Sequence, residues 1–143
     1  MTPALPRFRL PISVVRKSLS CSLCVLASRA DLVRACQLRP ELATTYADVE
    51  WEIGDVFKPD LSMLELIALA EGRAVDNDRL ILLRLRTNHN RTARRLRTLA
   101  KKAVTVADYL DKAGRLQRIL LDLQTRMRAL GYDGAHDDWS LTS

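Results

Sequence analysis

Positions 79–118 hold twelve basic residues and two acidic ones. The bases are Arg79, Arg84, Arg86, Arg91, Arg94, Arg95, Arg97, Lys101, Lys102, Lys112, Arg115 and Arg118; the acids are Asp108 and Asp111. Side chains of this kind bind oxyanions. A guanidinium grips two phosphate oxygens in one planar fork, and an ammonium acts as a point charge. A solvated helix normally mixes signs at i,i+4, and this stretch hardly does. Its net charge of +10 therefore suits a polyanion, and phosphate backbones, which release condensed counterions on binding, are the commonest kind.

Other reactive chemistry is thin. Cys21 and Cys24 form a lone CxxC, with Cys36 further on. A structural zinc site needs four ligands, and the two histidines, His89 and His136, are remote in sequence. No metal site is expected. An odd cysteine count without a secretory signal also argues against a disulfide framework. His89 has no candidate nucleophile or orienting carboxylate beside it, so no catalytic residue, no cofactor and no enzymatic activity are expected. Trp51 and Trp139 read as packing residues.

The elements that must position the basic stretch are helical. The chain has 143 residues, 48% of them apolar and only 5% aromatic, with five glycines. This composition disfavours sheets and predicts an all-α fold, a small bundle of about four helices. Charge divides the chain further. Positions 41–78 hold ten acids against Lys58 and Arg73, and positions 1–40 hold seven bases and one acid. An acid-free, Arg- and Ser-rich start has the composition of an organellar transit peptide. Residues 1–35 are thus expected to be a transit peptide or a basic arm, 36–131 a helical domain, and 132–143 a loose polar tail. No apolar run approaches the length of a membrane span, so no membrane association is expected.

Within the domain, Pro40 opens an acidic helix over positions 38–56, with Leu42, Tyr46, Val49, Ile53 and Val56 on one face. Ser62 reads as an N-cap with Glu65 in the capping-box position. The polar run Thr87, Asn88, His89 and Asn90 reads as a turn. Leu96, Leu99, Ala103, Val106 and Leu110 then follow a helical stripe. Ala113 and Gly114 mark a third break before a last helix that ends at Gly131.

The order of these parts resembles the S-fifteen family of small-subunit ribosomal proteins over positions 60–123. Ser62 stands five residues before Ile67 and Arg73 six after it, as in that family. Arg94, Arg95, Leu96, Leu99, Lys101 and Lys102 lead into Asp108, Tyr109 and Leu110, and a Leu-rich stretch at 119–123 follows. The sequence departs from the family at Leu61 and Leu66, where a glycine and a glutamine are usual. His89 and Thr92 fall at the loop's usual Asp and Ser positions, and the stretch from Arg73 to Asp108 is about two residues longer.

The resemblance implies a helical protein that binds small-subunit rRNA at a three-way junction and touches the large subunit at a bridge. Asp60, Ser62 and Arg73 would face the junction. Tyr109 and Lys112 would contact it from the next helix, and His89 and Thr92 would approach a shallow groove from a loop. With the basic stretch, the expected RNA-binding set is Asp60, Ser62, Arg73, Arg86, His89, Arg91, Thr92, Arg94, Arg95, Arg97, Lys101, Lys102, Tyr109 and Lys112. Short polar loops and arginines suit A-form RNA, which is read largely by shape and phosphates. Tyr109 is placed either to stack on an unpaired base or to pack in the core. The expected role is a structural constituent of the mitochondrial small ribosomal subunit, with a plastid as the other location. Its partners would be rRNA and neighbouring ribosomal proteins. The competing reading is a helical accessory subunit of a respiratory complex, a protein–protein module.

Overall fold

The computed structural model describes residues 23–142, and its regular elements are helices. Among the described residues five α-helices are present where about four were expected: α1 (Arg29–Leu38), α2 (Pro40–Ile53), α3 (Met63–Glu71), α4 (Asn77–Lys102) and α5 (Val106–Ala129). A 3₁₀ turn at Ser140–Thr142 closes the described chain. Positions 1–22 of the expected presequence lie outside the described residues, as does Cys21. Positions 29–35 of that segment belong to α1, which packs into the body.

Local chemistry sets the helix ends. The Ser28 hydroxyl accepts from the Asp31 amide at 3.1 Å and starts α1. Pro40 stops α1 and opens α2 at the first helical position, where its missing N–H costs nothing. Ser62 and Glu65 form the full capping box of α3, with bonds of 3.2 and 2.9 Å. Asp76 caps α4 and Thr105 caps α5.

Helices α1, α2 and α3 enclose one core of Leu32, Cys36, Ala43, Met63 and Leu66. Glu50 fastens that core. Its buried carboxylate accepts from the Met63 amide at 2.9 Å, at the N-terminus of α3, and from the Phe57 amide at 2.7 Å. Burial raises its pKa to about 7; the two amides oppose the shift and the Glu65 charge adds to it.

Helices α4 and α5 form a long antiparallel hairpin. Leu85, Leu123 and Met127 fill its open end with Tyr132, and Ala93, Leu96, Ala113 and Leu120 fill the middle. At 1.5 Å per residue, α4 spans about 39 Å. The seam between hairpin and three-helix body is largely polar. The Asn90 amide donates to the carbonyls of Ile53 and Gly54, and Arg84 pairs with Glu65 at 2.9 Å.

Three sequence expectations are corrected here. The polar run 87–90 is not a turn but the middle of α4. Thr87 and Thr92 turn their hydroxyls back on the carbonyls of Leu83 and Asn88, at 3.0 and 2.8 Å, so the polarity is absorbed inside the helix. The true break is at 103–105, within the run read as one stripe, and α5 passes unbroken through Ala113 and Gly114. The C-terminal segment is also not loose. Tyr132 and Trp139 pack edge-on against each other, and the segment lies over the hairpin.

Candidate nucleic-acid interface

The basic side chains of the hairpin fall into two groups by what they touch. Most are paired within the chain. Arg91 and Arg94 share the two carboxylate oxygens of Asp55 at 3.0 and 3.4 Å. Arg97 meets Asp138 at 3.1 Å, Lys112 meets Asp108 at 3.1 Å, and Arg115 meets Asp111 at 3.1 Å. Arg79 lies over the Trp51 ring, its guanidinium carbon 4.6 Å from the centroid. Thus carboxylates from the acidic segment and from the C-terminal segment neutralise part of α4. The exposed pairs contribute little stability, roughly 0–1 kcal/mol each, but they occupy the guanidinium groups.

Arg86 is wholly internal. Its Nε and Nη2 donate to Asp137 at 3.2 Å each, and Nη1 donates to the Trp51 carbonyl. The rings of Trp51 and Tyr132 flank it, each 4.9 Å from the guanidinium carbon. Burial beside Asp137 pushes the Tyr132 hydroxyl up to about 12.

His89 is equally enclosed. Its Nε2 lies 3.1 Å from the Gln124 amide nitrogen and its Nδ1 lies 3.5 Å from the Asn90 side-chain oxygen. A neutral ring satisfies both, accepting at Nε2 and donating at Nδ1. Burial holds its pKa below the usual histidine range, against the opposing pull of Asn90, Asp137 and Asp138. Thr142 extends this network by accepting from Gln124 at 3.2 Å.

The second group has no carboxylate within ion-pair distance among the described residues: Arg95, Lys101, Lys102, Arg118 and Arg126. Lys101 and Lys102 end α4 at the closed tip of the hairpin. Arg118 and Arg126 lie on the outer face of α5. With Arg115 and Asp122 they line a shallow channel of about 560 Å³. Positions 115, 118, 122 and 126 recur at helical spacing and form one stripe about 16 Å long.

A larger groove of about 670 Å³ runs between α4 and α5 near the tip. Arg94, Arg95, Lys102, Lys112 and Arg115 rim it, and Leu99, Leu116 and Ile119 supply its apolar floor.

The sequence-derived set is therefore divided. Arg95, Lys101 and Lys102 are exposed and unpaired, while Arg91, Arg94, Arg97 and Lys112 are exposed but paired. Arg86 and His89 have no solvent exposure, and Thr92 is buried, so none of the three is offered to an external ligand. Ser62 is consumed by its capping box, and Asp60 is exposed in the turn before it. Arg73 pairs with Glu71 after the end of α3. Asp60, Ser62 and Arg73 line neither hairpin groove. Tyr109 packs half-buried against the hairpin core, which favours its packing role over base stacking. Sequence reading left Arg118 out of the site and overlooked Arg126. The helical spacing of 115, 118, 122 and 126 was the signal for both.

Among the described residues no cluster of three His, Cys, Asp or Glu side chains is placed to hold a metal ion. None of the described helices is long and apolar enough to cross a membrane. Comparison of the chain with protein-family models, with curated proteins and with solved structures finds no match.

Proposed function

We propose that this protein is a non-catalytic RNA-binding scaffold whose contact surface is the hairpin tip and the outer face of α5. One observation carries the reading. After the ion pairs among the described residues are formed, Lys101, Lys102, Arg118 and Arg126 remain exposed, with only Asp122 among them on the α5 stripe. Unpaired cations at helical spacing on a rigid hairpin match a run of backbone phosphates. Arginine suits this role through its planar fork.

The specific form of the proposal is a constituent of an organellar small ribosomal subunit, mitochondrial in the first instance. It rests on the residues around Ser62 and Arg73 and on Tyr109 and Lys112, as the family resemblance implies. The groove-entering loop of that resemblance does not support it, because positions 87–92 are helical and turned inward. Respiratory-complex membership is the second reading, and the apolar floor of the tip groove favours it as a protein-binding feature.

The test is direct binding to structured RNA by the purified, nuclease-treated chain. Lys101→Glu, Arg118→Glu and Arg126→Glu combined are expected to weaken binding at least tenfold. Arg97→Gln, which removes a paired arginine, is expected to change it less than threefold. Equal losses in both variants would contradict the assignment of the surface.

A further inference from the structure

Two apolar patches lie open beside the seam. The tip groove is one, with Leu99, Leu116 and Ile119 as its floor and Arg95 and Lys102 on its rim. The outward face of α2 is the other. Sequence periodicity placed Val49 and Ile53 on one face with Leu42, Tyr46 and Val56, and the two are 51% and 61% exposed. With Val56 and Phe57 they line a hollow of about 310 Å³. Asp48 and Glu52 border this face at i,i+4, and α2 contains no basic residue.

Asp55 joins the patches. It lines the α2 hollow, and its carboxylate holds Arg94, which lines the tip groove. The result is two apolar hollows, one bordered by acids and the other rimmed by bases, linked by an ion pair.

The opposite flank of the hairpin is already covered. Trp139 lies tilted against His89 with ring centroids 5.9 Å apart, Arg128 lies over Trp139, and Leu141 packs on the Ala93–Leu120 core. A two-helix hairpin has two such flanks, and among the described residues no segment lies over the tip groove on the other.

We propose that a second copy of this chain covers this surface, in a two-fold dimer that lays each acidic α2 over the other copy's cationic groove. An isologous interface must complement its own image after a half-turn. Two apolar hollows of opposite border charge on one molecule meet that condition, because each faces the other kind after the half-turn. RNA fits the groove less well. Its rim cations can meet phosphates, but its aliphatic floor offers bases no π-face to stack on and suits an apolar helix face better. The dimer shares Lys102 with the proposed RNA surface but leaves Lys101, Arg118 and Arg126 outside the groove rim, so the two readings fail separately.

The experiment is sedimentation equilibrium of the full chain after nuclease treatment, with circular dichroism to verify helix content. Arg95→Glu with Lys102→Glu reverses the groove, and Asp48→Lys with Glu52→Lys reverses α2. Among the described residues, the only ion pair any of the four makes is the 3.6 Å contact of Glu52 with His136. The unsubstituted protein is expected to be a dimer that dissociates as salt rises, and each variant a monomer. An equimolar mixture of the two variants is expected to dimerise again, since the reversed groove meets a reversed helix. A monomeric parent protein overturns the proposal, including one whose groove holds only RNA before nuclease treatment. So does a dimer indifferent to both reversals, or a mixture that stays monomeric.

Discussion

Arg86 and Asp137 face each other across two N–H···O contacts of 3.2 Å, and neither side chain has any solvent exposure. The pair joins the middle of α4 to the C-terminal segment, and the third guanidinium contact, to the Trp51 carbonyl, adds α2. One arginine from a strongly basic helix is thereby spent on architecture. The same holds in weaker form for Arg91, Arg94 and Arg97, so the density of basic residues overstates the charge available to a ligand.

Removing one member of such a pair strands a buried charge. Asp137→Ala is expected to destabilise the protein by about 3–5 kcal/mol, measured by urea unfolding. Arg86→Met combined with Asp137→Leu is expected to recover most of the loss, because the desolvation cost then disappears from both sides. A single-variant loss below about 1 kcal/mol would place the pair in contact with water instead.

Two buried groups act in opposite directions as pH changes. Glu50 has a folded pKa of about 7, above its ordinary 4.5. The folded state binds its proton more tightly, so this contribution to stability declines as pH rises from about 4.5 to about 7. His89 is shifted below its ordinary 6.5, so its contribution declines as pH falls below that value. Just below 6.5 the two slopes oppose. Chemical denaturation across this range is expected to show stability rising more steeply with pH in Glu50→Gln than in the parent protein. His89→Gln is expected to tilt the curve the other way. The Glu50 effect is of order 3 kcal/mol over its full window. Identical pH slopes in all three proteins would contradict the assignment.

Gly54 ends α2 at φ 64°, and a Cβ there would meet the Asn90 side-chain nitrogen at 2.4 Å. That nitrogen caps the α2 carbonyls, so it cannot move without losing both bonds. Gly54→Ala is expected to cost about 1–3 kcal/mol, from left-handed strain and the displaced cap together. Gly72, at φ 69° with open space around it, is expected to lose only the strain component, about 1–2 kcal/mol. Thermal unfolding of the two variants side by side tests the difference.

The helix starts at Pro40 and Ser62 were legible in the sequence, because an N-terminal proline and a Ser-Glu capping box act locally. The hairpin turn was not. Thr105 caps α5 by accepting from the Asp108 amide at 3.1 Å, but the apolar spacing ran on through Ala103 and Val106 and hid the break. Val106 and Leu110 are 75% and 62% exposed, so that rhythm did not mark a core face. The false turn at 87–90 has the converse cause. His89, Asn90 and Thr92 look solvent-seeking until Gln124, the α2 carbonyls and the helix's own backbone supply their partners. The order of the C-terminal segment depends on Asp137 reaching a residue 51 positions away, which no local pattern encodes. Charge density pointed to the hairpin as the interface, but only the contact geometry separates its spent cations from its free ones.

The most direct test of the central claim is the salt dependence of RNA binding. Plotting the logarithm of the association constant against the logarithm of salt concentration counts the phosphates engaged. For Lys101→Glu, Arg118→Glu and Arg126→Glu combined, the slope is expected to flatten by about 3, near one per lost contact. Parent protein that shows no salt-sensitive RNA binding, or a triple variant with an unchanged slope, would contradict the account.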